Sequence, residues 1–134
     1  VETASGTHLG LLARYYRGLL KQEMGQMGTA EEELNFVVRN SAEPQTRNLA
    51  RHLLASIAES QDDHQLASQL LEAILLEDTV SFPKDTILLR LAQNHEAAGN
   101  AEKALTFYTR LTTEYPTSDD SQEAQSRLDQ LEKE

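Results

Sequence analysis

The chain has 134 residues, contains no cysteine and carries a formal net charge of −10 at pH 7. It has no run of Lys and Arg longer than a dipeptide, so binding to nucleic acid or to an acidic lipid surface is not expected. The lack of cysteine excludes disulfides and thiol catalysis, and without a long apolar run no membrane insertion by this stretch of chain is expected. With 39% hydrophobic residues, the composition suits a thin helical array whose layers share their core.

Apolar residues recur every three or four positions, which predicts α-helices and no strands. The predicted helices span about 9–24, 29–40, 46–60, 63–77, 85–98 and 101–115. The last two carry clear apolar stripes, formed by Leu88, Leu91, Ala92 and His95, and by Ala101, Ala104, Leu105, Tyr108, Leu111 and Tyr115. Gly99 can adopt the left-handed conformation that ends the earlier of these helices, and Pro116 stops the later one.

Sliding the sequence against itself by 37 residues brings like residues together. The aligned sets are Gly18 with Ala55 and Ala92, Ala30 with Ala67 and Ala104, Leu34 with Leu71 and Tyr108, and Val37 with Ile74 and Leu111. The shift predicts three helix–turn–helix units, at about 9–42, 46–79 and 85–118. A local match between the stretches that start at Gly28 and Gly99 favours a turn three residues later in the first unit. The 37-residue shift is preferred because it fits both helices of that unit.

The residues after Pro116 are predicted to form one further helix at about 119–133. Asp120 with Glu123 resembles a capping box at its start, and its narrow apolar stripe consists of Ala124, Leu128 and Leu131. A helix that is apolar on one side suits the end of a helical array, where the other side meets water. The sequence therefore predicts an all-α solenoid of three helix pairs plus a C-terminal capping helix, in a single domain over 1–134.

These spacings resemble the tetratricopeptide repeat. The family has a small residue in the first helix, Gly at the turn, Ala in the second helix, an aromatic four residues later and a final Pro; in the third unit these are Ala92, Gly99, Ala104, Tyr108 and Pro116. The second unit departs from this pattern, with Asp62 in place of the turn Gly. Because two helices cross closely only where their side chains are small, the small positions indicate helix contacts and not chemistry.

The stretches 7–18, 81–116 and 121–131 also look like bacterial cell-envelope tetratricopeptide proteins. That group includes the ancillary subunit of the Sec translocon and relatives of the outer-membrane assembly and Tol–Pal periplasmic proteins. In it, one N-terminal membrane anchor precedes a helical domain in the periplasm. The resemblance implies a scaffold or chaperone-like role in the periplasm or cell envelope, with an anchor upstream of Val1; a cytoplasmic location is the alternative.

Few residues suggest chemistry of their own. His95 is followed by Glu but lacks the second His of the HExxH zinc motif, and by repeat position it replaces a core Tyr. Asp62, Asp63 and His64 share a turn that could hold a cation, but a turn before a helix favours Asp without any metal. The carboxylates of 31–33 open a helix, where the helix dipole favours them. No catalytic residue, metal site or cofactor is predicted.

The predicted binding site is the concave face lined by the first helix of each unit. Positions that contact ligands in the resembling family map onto Leu12, Tyr15, Tyr16, Leu19, Gln22, His52, Ser56, Glu59, Leu89, Arg90, Gln93 and Glu96. Three of these, Tyr15, Tyr16 and Leu19, lie off the packing stripe of the repeat. They are either anchors for a partner or residues that pack under a further helix upstream, and the sequence supports both alternatives equally.

We therefore expect a non-catalytic protein-interaction module that binds a protein or peptide in this groove. The net charge would attract a basic partner. The alternative is a structural self-association domain, a homo-oligomer in which the groove binds a neighbouring copy.

Overall fold

The computed structural model describes residues 7–77 and 82–134, and in these ranges the chain is helical without any strand. The helices are α1 His8–Glu23, α2 Met27–Asn40, α3 Pro44–Ser60, α4 His64–Glu77, α5 Lys84–Ala97, α6 Ala101–Glu114 and α7 Asp119–Glu132. Each predicted helix is present, with both ends within two residues of the prediction. The last residues of the predicted second unit, 78–79, lie outside the described residues.

The helices stack in chain order. Each helix packs on the next one, and further contacts join α1 to α3 and α5 to α7. Short connections make consecutive helices antiparallel neighbours, so α1–α2, α3–α4 and α5–α6 form three pairs and α7 covers the end of the last pair. This is the predicted all-α solenoid with a terminal helix.

Small residues sit where the two helices of a pair cross. All six aligned small positions, Gly18, Ala30, Ala55, Ala67, Ala92 and Ala104, are buried. At Gly18 the fit is tightest, because an added Cβ would lie 2.8 Å from Cγ of Leu34. The closeness of α1 and α2 therefore depends on the missing side chain, as the repeat alignment predicts.

The turns within the three pairs confirm the 37-residue spacing. Positive φ angles occur at Gly25 (78°), Asp62 (59°) and Gly99 (83°), and these positions are 37 residues apart. Gly28 has no such angle and lies inside α2. The competing alignment, which places the first turn three residues later, is therefore wrong. Asp62 performs the geometric role of the expected Gly at an energetic cost, because L-residues rarely adopt this conformation.

The structure differs from the predicted apolar stripe of α6 and from the predicted start of α7. Ala101, which was assigned to the α6 stripe, is exposed. Leu105 was assigned to the stripe of α6, but it is 38% exposed; Phe107 instead packs against two of the buried clusters and stacks on buried His95, with ring centroids 5.4 Å apart. The start of α7 also differs. Its N-cap is Ser118, whose hydroxyl accepts a hydrogen bond from the Asp120 backbone N–H, so the predicted capping box of Asp120 and Glu123 is wrong and the helix is capped two residues earlier.

Candidate functional site

The first helices of the pairs line one shared surface. α1 contacts α3 and α5 contacts α7, while side chains of α3 and α5 are hydrogen bonded to one another. We call the surface formed by α1, α3, α5 and α7 the A face. The residues that sequence analysis assigned to the groove all belong to α1, α3 and α5.

At the N-terminal end of the A face the structure separates the predicted residues into two groups. Tyr15 and Leu19 are half-buried and pack against the first core cluster, which is formed by residues of α2 and α3, so their assignment as residues off the packing stripe is wrong. Tyr16 is 62% exposed and touches Tyr15 edge to face, with ring centroids 5.3 Å apart. Leu12 and Gln22 are half-buried.

In the middle of the A face two predicted residues are covered by other side chains: His52 by an aromatic ring and Leu89 by the core. His52 stacks on Phe82, with ring centroids 4.7 Å apart, and burial lowers the pKa of His52. Leu89 is only 7% exposed and belongs to a core cluster, so it is not available to a partner. The reason is its place in α5, where it shares this cluster with buried residues of α6 and α7.

An ion pair joins α3 to α5 at the centre of the A face. Arg90 donates from Nη2 to Oε1 of Glu59 at 2.7 Å and from Nε to Oε2 at 3.3 Å. Asn94 Nδ2 donates to Glu59 Oε2 at 2.8 Å, and Ser56 Oγ lies 3.5 Å from Arg90 Nη2. Burial raises the pKa of Glu59, but the hydrogen bonds from Arg90 and Asn94 outweigh it and lower the pKa overall. The three predicted residues here bind one another across two repeats.

The same pair recurs 37 residues later, between α5 and α7. Glu96 binds the guanidinium of Arg127, with Nε to Oε2 at 2.7 Å and a second bond from Nη2. It also accepts a hydrogen bond from the Tyr108 hydroxyl at 2.8 Å. The Arg127 bonds lower the pKa of Glu96, whereas burial and the bond to Glu96 raise that of Tyr108. Arg127 thus occupies in α7 the place of Arg90 in α5, and α7 takes the position of the first helix of a fourth pair.

A cavity of about 540 Å³ opens beside this second ion pair. It lies between α5 and α7 and is lined by Gln93, Glu96, Ala97, Tyr108, Glu123, Ser126, Arg127 and Gln130. Gln93 and Glu96 were predicted; the residues of α7 were missed because that helix was assigned only a capping role. The 37-residue spacing of Glu59 to Glu96 and of Arg90 to Arg127 is the signal that could have found them. The cavity offers amide, hydroxyl and charged groups to a polar chain.

A second, polar cavity of about 280 Å³ lies between α4 and the start of α6, beside His95 and Glu72. His95 Nε2 has no hydrogen-bond partner and lies 3.7 Å from Glu72 Oε1. Near the turn of Asp62 and Asp63, His64 Nδ1 is within hydrogen-bond distance of Asn94 Oδ1, at 2.8 Å. Within residues 7–77 and 82–134, no three His, Asp or Glu side chains converge as a metal site requires.

Comparison with protein families identifies the repeat. Residues 87–118 match the family model of the tetratricopeptide repeat, which corresponds to the predicted third unit. Comparisons with curated proteins and with solved structures found no match. Together with the seven described helices, the family match confirms a solenoid of tetratricopeptide type. Repeats of this type generally mediate protein–protein interaction. No helix in the described part of the chain has both the length and the apolar character needed to cross a membrane.

Proposed function

We propose that the chain is a non-catalytic interaction module that binds a polypeptide segment along the A face, with one polar side chain of that segment in the cavity between α5 and α7. The observation that carries this proposal is the cavity itself. It opens on the face made by the first helices, its volume of about 540 Å³ lies in the range of small-ligand sites, and exposed Gln93, Glu123, Ser126 and Gln130 line it.

The electrostatics favour a polar or basic segment. Glu59 and Glu96 each have an arginine partner across the repeats, so these four residues offer little net charge to a ligand. Exposed Glu123 lies on the rim with its carboxylate 3.4 Å from Gln93 Nε2. The net charge of −10 adds a long-range attraction for basic chains. The partner that fits best is therefore an extended segment with hydrogen-bonding side chains and a positive charge.

The cell-envelope scaffold or chaperone-like role belongs to the same proposal and is supported by the sequence resemblance. A tagged form expressed in a bacterium that encodes the protein would be fractionated into periplasm, membranes and cytoplasm. We expect it in the periplasmic or membrane fraction. Recovery in the cytoplasm would reject the envelope role and leave the peptide-binding proposal intact.

The binding proposal is tested with a peptide library. The 134-residue chain is panned against displayed random dodecapeptides, and an enriched peptide is synthesised and titrated by fluorescence anisotropy. Ser126→Trp places a ring in the cavity, and Gln125→Trp, one residue away on the outward side of α7, is the matched control. We expect Ser126→Trp to weaken binding about tenfold or more and Gln125→Trp to leave it unchanged. Equal binding by both variants, with unchanged circular dichroism, would contradict the cavity assignment.

A further inference from the structure

The helix α1 exposes a continuous apolar stripe. Its members follow one another at intervals of three or four residues and are Leu9, Ala13, Tyr16, Leu20 and Met24. The four large ones are 77%, 62%, 54% and 55% exposed, in that order. They are four of the seven large hydrophobic side chains that are exposed among the described residues. A contiguous stripe of this kind marks an interaction surface more often than scattered exposed residues do.

The repeat shows what normally covers this surface. One unit further along, the equivalents of the first four stripe residues are Thr46, Ala50, Leu53 and Ile57, and all are buried. They lie on α3, which packs against α2, the antiparallel helix that precedes it. The α1 stripe is therefore the surface that inside the array receives an antiparallel helix, and none of α2 to α7 covers it.

We propose that a second copy of this chain covers the α1 stripe, with the two α1 helices antiparallel about a two-fold axis. The ends of the array support this choice. The outer side of α7 is polar, with exposed Gln122, Gln125, Asp129 and Glu132, so a head-to-tail stack would place the apolar stripe against charge. A two-fold contact joins the two apolar ends and leaves polar α7 at both ends of a closed dimer.

The order of residues along the stripe is self-complementary. In an antiparallel pair centred between positions 16 and 17, Leu9 meets Met24 of the second copy, and small Ala13 meets Leu20. Arg17 then lies beside the Tyr16 ring of the second copy, an arrangement that favours a cation–π contact. The charges also permit this approach, because the carboxylate of Glu33 forms ion pairs with both arginines of this part of α1. Its Oε1 lies 3.5 Å from Arg17 Nη1, and its Oε2 lies 3.7 Å from Arg14 Nη1.

A contact of one helix with one helix buries less than about 1,200 Å² of surface, which is at the small end of specific interfaces. The fraction of dimer should therefore depend on protein concentration. Sedimentation equilibrium of the 134-residue chain over a hundredfold concentration range tests this. We expect a shift from monomer to dimer mass. Leu20→Glu should raise the dissociation constant of the dimer about tenfold or more. The control is Leu76→Glu, the same change at a residue of α4 that is 84% exposed. It should leave the dissociation constant unchanged. A chain that stays monomeric throughout, or a dimer that both variants weaken equally, would overturn the proposal.

A single cysteine tests the two-fold axis separately. Because the chain has no cysteine of its own, Arg17→Cys brings a thiol to the proposed axis, and Leu76→Cys is its control. Under mild oxidation Arg17→Cys should form a covalent dimer at least several times faster than Leu76→Cys. Equal rates would mean that the two copies of position 17 do not lie near each other beside the axis and would overturn the antiparallel arrangement. Neither experiment involves the cavity between α5 and α7, so failure here leaves the proposed peptide binding untouched.

Discussion

At the scale of single residues, the absence of a side chain determines how closely two helices approach. Gly18 in α1 faces Leu34 in α2, and the equivalent contact in the other pairs uses Ala55 and Ala92. A methyl group is tolerated in those two pairs but not at Gly18, where Cγ and Cδ2 of Leu34 already occupy the space, 2.8 and 2.9 Å from an added Cβ. The helices of the first pair are therefore packed around the glycine.

The first residue-scale prediction compares two glycines. Gly18→Ala should lower the free energy of unfolding by up to about 2 kcal/mol, because an overpacking cost of about 1–3 kcal/mol outweighs the gain in helix propensity of about 1 kcal/mol. Gly28→Ala is the control: an added Cβ meets nothing within 4 Å there, so the same change should stabilise the chain by about 0.4–1 kcal/mol. Urea unfolding measures both. If Gly18→Ala were as stabilising as Gly28→Ala, the close crossing of α1 and α2 would be refuted.

The backbone conformation of the turns was predictable from the sequence, whereas the exposure of some side chains depends on neighbouring helices that the local sequence does not identify. The 37-residue spacing located the left-handed turns, including Asp62, because backbone geometry repeats even where the residue type does not. Leu105 was wrongly assigned to the apolar stripe and Phe107 was not included in it, although both satisfy helical periodicity, because only the neighbouring helices decide which one is covered. Leu89 was predicted as a ligand contact from its position in the resembling family, although α7 helps to bury it.

At the scale of elements, ion pairs fix how one helix lies against the next. Glu77 ends α4 and accepts hydrogen bonds from Arg47, at 2.9 and 3.0 Å, and from Arg51, at 2.6 Å, both in α3. The hydrogen bonds from Arg47 and then Arg51 lower the pKa of Glu77 to about 2. The carboxylate thereby clamps the end of one helix to the start of its partner.

The pH dependence of this clamp is the element-scale prediction. Because the pKa is lower in the folded chain, the clamp stabilises fully above the ordinary pKa near 4.5 and loses its effect as the pH falls towards 2. Glu77→Gln should lower the free energy of unfolding by about 1 kcal/mol at pH 7, a value discounted for the partly solvated carboxylate, and by clearly less at pH 3. Urea unfolding at both pH values measures this difference.

The control for the clamp is its repeat equivalent. Glu114 lies 37 residues after Glu77, but its ion pair is with Arg110 of its own helix, and both side chains are more than 40% exposed. Glu114→Gln should therefore change stability little at either pH. A loss from Glu77→Gln that is as large at pH 3 as at pH 7 would show that packing, and not the ionised clamp, is responsible.

The helix α7 shows where prediction from the sequence stops at this scale. Its existence, bounds and apolar side followed from periodicity, but its position as the first helix of a fourth pair did not. That position depends on Arg127 reaching Glu96 across the A face, a contact over 31 residues that helical periodicity does not encode and that only the 37-residue spacing of the two ion pairs could have indicated. For the same reason, the cavity beside this ion pair was not predicted, although two of its residues were.

At the scale of the whole molecule, the fold is a one-dimensional array. The helices pack on their neighbours and next neighbours, and α1 and α7 do not pack on each other. Stability in such an array is approximately a sum of local terms, so damage at one end should remain local. The two ends also differ chemically, because α7 is polar on its outer side and α1 is apolar.

The last prediction tests the C-terminal end. A chain ending at Pro116 lacks α7 and should expose Ala104, Tyr108 and Leu111, which now share a cluster with Ala124. Its free energy of unfolding should fall, and self-association should increase because apolar surface is exposed. In the truncated chain, backbone amides of α5 and α6 should exchange hydrogen faster than in the full chain, while those of α1 and α2 should be unchanged, since their packing does not involve α7.

Point variants of the full chain provide the control for truncation. Ala124→Asp buries a carboxylate at a fully enclosed position of α7 and should reproduce the faster exchange in α5 and α6. Gln125→Asp makes the adjacent change on the exposed side and should have no effect. Equal protection of α5 and α6 with and without α7 would show that this helix does not stabilise the array. Faster exchange throughout α1 to α6 would instead show that the chain unfolds as one cooperative unit, because loss of contacts at one end would then reach helices that never touch α7.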